Sequence, residues 1–263
     1  MTPRDVDPTA VGAVLSGRAE ALDVEQPLHL VSWNIHKARD PRLTEQLNEL
    51  GAARAVDVFA LQEARPSLMV PQGFVGHHGR SFRSATGGED EGVMTLSRVQ
   101  PSDARRVRSG ERELFVFTPK AALISFLPMS DGRSLCVVNV HGLNFDPSGK
   151  QLDRQLRELG LLVQHLAGPL VVAGDFNTWN AARMDVVQRL ITDLDLIEVA
   201  PDYPGGKTGQ VPGERMRRAI RMERCLHLDR VFVRGLRPVR AAWLTEYEAS
   251  DHVALYGQLE WRS

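Results

Sequence analysis

The segment Leu170-Val171-Val172-Ala173-Gly174-Asp175-Phe176-Asn177 runs four apolar residues into a polar tail. A run this short and this apolar reads as a buried strand, because a helix of the interior needs ten or more residues. Just upstream, Gln151–Leu166 repeats Leu152, Leu156, Leu159, Val163 and Leu166 at three- and four-residue steps. That spacing predicts a helix with one apolar face, packed on a sheet. Gly168-Pro169 stops it, since Gly suits a helix C-terminus and Pro cannot continue the ladder. A helix delivered directly into a buried strand points to an α/β domain.

Outward from there the same kind of run recurs at Leu28–Ile35, Val56–Leu61, Val93–Leu96, Leu114–Phe117, Ala121–Phe126, Leu135–Val140, Leu228–Val233, Val239–Trp243 and Val253–Leu259. The coarse reading is about ten strands. Pro41–Arg54 and Ala181–Leu194 are further helix candidates, the first opening with Pro at a plausible first helical position. Residues 1–27 form a polar arm punctuated by Pro3, Pro8 and Pro27, with a short apolar patch at Val11, Val14 and Leu15 that suggests a helical turn. Residues 28–263 make the single domain, consistent with about 150 residues per domain as a loose guide. Pro71–Glu91, with His77 and His78, and Pro201–Arg224 read as long loops, and Arg105-Arg106, Arg108 and Arg112 as an exposed turn.

With 32 Lys+Arg against 33 Asp+Glu, the net charge of −1 removes any global attraction to nucleic acid or an anionic membrane. Any basic surface must be local. Cys136 and Cys225 are too few for a disulfide framework and lack metal or redox spacing; Cys136 reads as a small core residue. No apolar run approaches a membrane span, and Asp5 and Asp7 stand where a signal peptide carries positive charge, so the expectation is a cytoplasmic chain without stable membrane insertion or an obligate protein partner.

The chemistry lies at the ends of the strands. Ser32-Trp33 leads to Asn34, Leu61-Gln62 to Glu63, Asn139-Val140 to His141, and Ala173-Gly174 to Asp175 and Asn177; Asp229 sits in the Leu228–Val233 run and Ser250-Asp251-His252 precedes the last. If these ends converge they form one polar pocket at the rim of a sheet. Carboxylate and amide oxygens without a cysteine cluster suit a hard cation, Mg²⁺ or Mn²⁺. Histidines beside it suit non-bridging phosphate oxygens, and phosphoryl transfer needs mainly positioning and charge stabilisation of this kind.

The ordered set Trp33-Asn34, Leu61-Gln62-Glu63, Gly92 through Leu96-Ser97-Arg98, Asn139-Val140-His141, Gly174-Asp175-Phe176-Asn177, Leu228-Asp229-Arg230 and Ser250-Asp251-His252 resembles the endonuclease/exonuclease/phosphatase superfamily over about residues 28–260. The resemblance implies a four-layer α/β sandwich of two packed, mostly antiparallel sheets flanked by helices. It implies Glu63 as the main metal ligand, with Asn34 and Asp251 near the metal and its waters. It implies that Asp175, helped by Asn177, holds or activates the nucleophile, that His252 paired with Asp229 contacts the scissile phosphate, and that His141 is a second phosphate-binding histidine. Where exonuclease III-like enzymes usually carry Tyr, this chain has His141; the residues before Gly174 and Asp229 are Ala173 and Leu228, unlike the inositol 5-phosphatases.

Each residue also has an ordinary explanation. Asn34 suits a turn, Asp229-Arg230 a structural ion pair, Trp33 a core aromatic, and His77 and His78 solvated loop positions. Asn144 either lines the pocket as a substrate-binding residue or bonds to backbone. Arg215, Arg217, Arg218, Arg221 and Arg224 either track a phosphate backbone, with Arg221 as the substrate contact, or form a solvated face. The expectation is a Mg²⁺-dependent phosphodiesterase acting on a phosphate ester, nucleic acid first. A phospholipid headgroup phosphodiesterase is the alternative, favoured by His141 through the sphingomyelinase branch, and a non-catalytic binding protein on the same scaffold is the second.

Overall fold

The computed structural model describes residues 9–11, 19–82, 90–113, 119–201 and 227–262. Strands β1 (Thr9–Val11), β2 (Leu28–Asn34), β3 (Val58–Ala64), β4 (Val75–Phe82), β5 (Glu91–Ser97), β6 (Asp103–Arg108), β7 (Ala121–Pro128), β8 (Ser134–His141), β9 (Leu170–Asp175), β10 (Ile197–Glu198), β11 (Asp229–Arg234), β12 (Leu236–Leu244) and β13 (Ala254–Trp261) accompany helices α1 (Leu43–Ala53), α2 (Lys150–Val163) and α3 (Ala181–Asp193). They form a seven-stranded sheet, ordered β1-β4-β5-β3-β2-β13-β12, and a six-stranded sheet, ordered β10-β11-β9-β8-β7-β6. Among the described strands β2–β3 and β8–β9 are the parallel pairs, and α1 and α2 are their crossovers, as parallel neighbours require.

Side-chain parity builds the layers. Leu28, Leu30, Val58, Ala60, Leu135, Val137, Val171, Ala173, Val231 and Val233 pack between the sheets. The alternate residues Val31, Trp33, Phe59 and Leu61 meet Leu43, Leu47 and Leu50 of α1 on one outer face. Val138, Val140, Leu170, Val172 and Phe232 meet Leu152, Leu156, Leu159, Val186 and Leu190 of α2 and α3 on the other. Strands β2, β3, β8, β9 and β11, buried on both faces, are therefore apolar along most of their length, which is why they read as continuous runs. The result is the expected four-layer α/β sandwich. Among the described residues no helix is long and apolar enough to cross a membrane.

The structure differs from the sequence reading in two segments. Val75–Phe82, placed in a loop, is β4, hydrogen-bonded to β5 on one side and β1 on the other. Its small and polar residues hide a central strand. A Cβ at Gly79 would meet Arg106 Cγ and Val93 Cγ2 at 3.4 Å, so the strand lies close under its neighbours. His78 is buried, with Nε2 3.1 Å from the Ala64 carbonyl, and burial lowers its pKa; it is not a solvated loop histidine. Asp103–Arg108 is the edge strand β6 rather than a turn: Arg105 is exposed while Arg106 is buried and donates to the Arg80 carbonyl. Charged residues on an edge strand discourage pairing with other chains. Thr9–Val11 is a strand, while Val14 and Leu15 of the expected helical turn lie outside the described residues. Leu22 is buried, donating its N–H to Pro128 O and accepting from Ser130 N at 2.8 Å each, so the chain is anchored to the sandwich before Leu28. The Leu114–Phe117 run, Cys225 and the arginine-rich segment containing Arg221 lie outside the described residues. Cys136 is a buried core thiol, its pKa pushed up to about 12 by burial.

Candidate active site at the sheet ends

The parity that fills the space between the sheets continues past its apolar part. Asn34, Gln62, Asn139, His141, Asp175 and Asp229 occupy the next inward positions of β2, β3, β8, β9 and β11, so the interior turns polar at one end. Gln62 Nε2 donates to Asn139 Oδ1 (2.8 Å), and Asn139 Nδ2 donates to the carbonyls of Leu61 (3.1 Å) and Met94 (3.0 Å). This buried amide clasp fixes one sheet against the other immediately beneath the site. Asn139 belongs to the sequence pattern for that structural reason.

Asp175 ends β9, opposite His141 of β8 and Asp229 of β11. Gly174 must precede it: φ is 150°, and a Cβ there would lie 1.9 Å from the Val140 carbonyl oxygen. The Asp175 carboxylate accepts from Asn34 Nδ2 at Oδ2 (3.0 Å) and from Asn177 N at Oδ1 (2.9 Å), which crosses from one sheet to the other. Burial, then repulsion from Asp229, raises its pKa against the opposing help of His252, Asn177 and Asn34. Asn177, itself at φ 53°, donates Nδ2 to Gly142 O (3.0 Å) and so ties the loops after β8 and β9 together.

His252 Nδ1 lies 2.7 Å from Asp229 Oδ2. Burial works against the charged ring, but Asp229, Asp175 and Asp251 outweigh it and raise the pKa to about 10, so His252 is an imidazolium at neutral pH. His141 is the opposite case. Burial, then Lys120, His252 and Lys37, holds it well below its ordinary value. Its Nε2 is 3.8 Å from Asp175 Oδ2, too far for a hydrogen bond, and the neutral ring makes no ion pair there. The Ser250–His252 turn is pinned by Ser250 Oγ donating to Asn34 O (2.6 Å) and Trp33 Nε1 donating to His252 O (3.0 Å). Asp251 stands at the rim, 3.5 Å from His36 Nδ1.

Glu63 is placed by a bulge. The β3–β5 register shifts between Gln62 and Ala64, and Glu63 takes φ 53°, a left-handed conformation uncommon for a side chain of its kind. Its Oε2 is buried without a hydrogen-bond partner, and so is Asp229 Oδ1. A carboxylate oxygen held this way, on the strand next to Asn34, fits a hard divalent cation. The ligand atoms of Asp175, Asp229 and His252 also lie within 4.8 Å of one another. Glu63 Oε2 on one sheet end and the Asp175–Asp229–His252 group on the other are thus the donors here that could hold such an ion.

Of the residues singled out from the sequence, Asn34, His141, Asp175, Asn177, Asp229 and His252 come together, with Glu63 on the adjoining strand end and Asp251 at the rim. Asn144 is held by its surroundings: Oδ1 accepts from Phe145 N (2.7 Å) and Trp179 Nε1 (2.8 Å). Arg230 is a structural residue, bonded to Glu198 (2.5 Å) and Thr178 (3.1 Å). One residue escaped the reading altogether. Arg183 of α3 is fully buried and donates to the carbonyls of Asn177 (2.5 Å), Asp146 (2.9 Å) and Leu143, cinching the loops that follow β8 and β9. Burial lowers its pKa to about 10 against Asp146, Asp175 and Glu113, so it stays charged. Its signal was available: positions 183, 186, 187 and 190 form one helical face, and the other three are apolar.

A separate groove of about 180 Å³ lies between α2 and α3, lined by residues including Leu156, Leu161 and Leu190. Its Asp153 is already paired with Arg157 (2.8 Å) and Arg189 (2.9 Å), so enclosure and chemistry point to different places, and the chemistry decides.

Among curated sequences the chain is similar to UPF0294 proteins of Vibrio: 32% identical over 240 residues to one from Vibrio cholerae, spanning 89% of this chain and 78% of that one, and 32% over 241 residues to one from Vibrio parahaemolyticus with the same coverages. Among solved structures, the human Nocturnin catalytic domain with bound sulfate anion superposes with TM-score 0.65 at 19% identity, covering 90% of this chain and 94% of that one. D. rerio TDP2 complexed with single strand DNA product superposes with TM-score 0.62 at 16% identity, covering 89% and 98%. At these identities the structural likeness speaks to fold alone. The Endonuclease/Exonuclease/phosphatase family profile matches residues 31–252, from within β2 to His252, and the chain belongs to that family.

Proposed function

We propose that the chain hydrolyses phosphodiesters with a divalent cation, Mg²⁺ or Mn²⁺, and that its substrate is a nucleic acid. Glu63 would hold the ion, with Asn34 and Asp251 beside it and its waters; the ion supplies Lewis-acid stabilisation of charge on phosphate oxygens. Asp175 orients and deprotonates the attacking water. Its raised pKa brings it nearer to the operating pH, which suits a general base, and Asn34 and Asn177 fix its two oxygens. His252, kept protonated by Asp229, donates to a non-bridging phosphate oxygen, and neutral His141 donates from a ring N–H beside it.

The observation that carries this reading is the Asp229–His252 pair at 2.7 Å with Asp175 alongside, their ligand atoms within 4.8 Å, at the one end where both sheets turn polar. The test is a panel of phosphoesters with and without EDTA: linear and circular DNA, RNA, sphingomyelin, phosphatidyl lipids and a nucleotide monoester. Cleavage of DNA or RNA that EDTA abolishes and Mg²⁺ or Mn²⁺ restores supports it. Turnover of the lipids alone transfers the site to headgroup hydrolysis, and no turnover with either metal contradicts the enzymatic reading.

A further inference from the structure

Two lysines flank this site without a part in the chemistry above. Lys37 follows Asn34 by three residues, in the turn His36–Ala38, where three consecutive non-glycine residues take φ of 45°, 63° and 51°. A left-handed run of side-chain-bearing residues is strained, and strain of this kind gathers at ligand clamps. The turn sends Lys37 past the end of β3, next to the Glu63 bulge, to Glu91 at the start of β5, with Nζ 3.3 Å from Oε1; Arg65 approaches the same oxygen at 3.8 Å.

Lys120 stands on the six-stranded side. The pairing of Ala122 with Val140 sets Lys120, just before β7, beside the end of β8 where His141 projects. Its Nζ is 3.7 Å from Oε1 of Glu113, a buried carboxylate oxygen that also accepts the Asn144 N–H. The Lys37 side chain is 31% exposed and that of Lys120 14%, and the charge of each is felt at the buried His141 between the two sides.

We propose that Lys37 and Lys120 are specificity-determining residues, a two-sided clamp for the phosphates that flank the scissile one. Lys37 can leave the partly exposed Glu91 for a substrate phosphate at little cost. Lys120 keeps its buried partner Glu113 and turns another of its three N–H donors to a phosphate on the opposite side. A chain of phosphodiesters satisfies both lysines. A single phosphodiester bearing a cationic headgroup brings a positive charge between them. The inference rests on reading the site as a phosphodiesterase and names the feature that selects a polyanionic strand.

The test compares the wild type with Lys37→Met, Lys120→Met, the double variant, and Lys37→Arg and Lys120→Arg. Binding of a fluorescein-labelled single-stranded oligonucleotide in EDTA is followed by anisotropy against salt. Hydrolysis with Mn²⁺ is measured on tetrathymidylate, on bis(p-nitrophenyl) phosphate and on sphingomyelin. Each Met substitution is expected to weaken oligonucleotide binding about 5- to 20-fold and to reduce the salt slope by about 0.7. It should also lower the preference for tetrathymidylate over the single-phosphate ester about tenfold, through KM rather than kcat, with the Arg variants restoring most of the loss. A Lys37→Met thermal midpoint close to wild type separates this from a structural role; Lys120→Met leaves the buried Glu113 without its cation, so on that side the charge-keeping Lys120→Arg variant and the salt slope make the separation. If the wild type cleaves phosphodiesters while the Met variants keep its affinity, salt slope and preference, the clamp is wrong and the phosphodiesterase stands. Preference of the wild type for sphingomyelin likewise overturns the clamp. No cleavage of any ester by the wild type overturns the parent reading and the clamp with it.

Discussion

At the end of the six-stranded sheet, Asp175 accepts two hydrogen bonds and Asp229 holds His252 at 2.7 Å, whereas at the end of the seven-stranded sheet Glu63 sits on a left-handed bulge with a buried oxygen that bonds to nothing. The first arrangement is largely self-satisfied: each group steadies the next, and of the four carboxylate oxygens of Asp175 and Asp229 one, Asp229 Oδ1, is left without a partner. The second is reserved, since desolvating a carboxylate oxygen without a partner costs free energy that the folded chain alone does not return. Removing a group from the first side should therefore damage fold and activity together, and removing Glu63 should damage activity alone.

The largest effect is expected from Asp229→Ala, which leaves a buried imidazolium without its partner. Breaking such a pair costs about 3–5 kcal/mol, read as a lower midpoint in urea, and activity should fall with it. A stability loss below about 1 kcal/mol would mean the pair is not formed in solution. Glu63→Gln should lower phosphodiesterase activity about 10²- to 10³-fold at limiting metal, with the urea midpoint unchanged or higher. A clear destabilisation would place Glu63 on the self-satisfied side and erase the contrast.

The two histidines sharpen it further in metal-free protein. His252 titrates at about 10 when folded against 6.5 as its ordinary value, so its contribution is complete below pH 6.5 and is lost as pH rises through about 10. His141 is depressed when folded, so its contribution is present above pH 6.5 and is lost as pH falls below it, where the unfolded chain takes the proton first. Thermal midpoints against pH should fall on both sides, with His252→Gln flattening the alkaline limb and His141→Gln the acid limb. Reversal of these assignments would show the protonation states to be misassigned. The smallest effect concerns Asn144: Trp179→Phe removes one donor to its Oδ1, costing about 1 kcal/mol. The rise in KM should stay under threefold, and a larger one would make Asn144 a principal substrate contact.

Most of the site was legible because buried strands announce themselves as apolar runs, and the polar residue ending each run is conspicuous. Parity adds why those ends converge: Asn34, His141 and Asp175 continue inward positions that Leu30, Val137 and Val171 occupy earlier in the same strands, and Asp229 opens the antiparallel β11 on the inward face that Val231 then continues. β4 and β6 were hidden for the opposite reason. His77-His78-Gly79 and Arg105-Arg106 carry too little apolar contrast to show an alternation, and backbone pairing with β5 and β7 holds them in place. The Glu63 bulge has no compositional mark, since a register shift is decided by the neighbouring strand. Arg183 was overlooked because an arginine in an amphipathic helix is ordinarily a surface residue; here the carbonyls of two converging loops replace its water.

Mn²⁺ binding, titrated by electron paramagnetic resonance on the wild type and on Glu63→Gln, tests the asymmetry between the two sheet ends most directly. A saturable site in the wild type that is lost or weakened at least tenfold in the variant is the expected result. Equal binding by the two proteins, or none by the wild type, would contradict it.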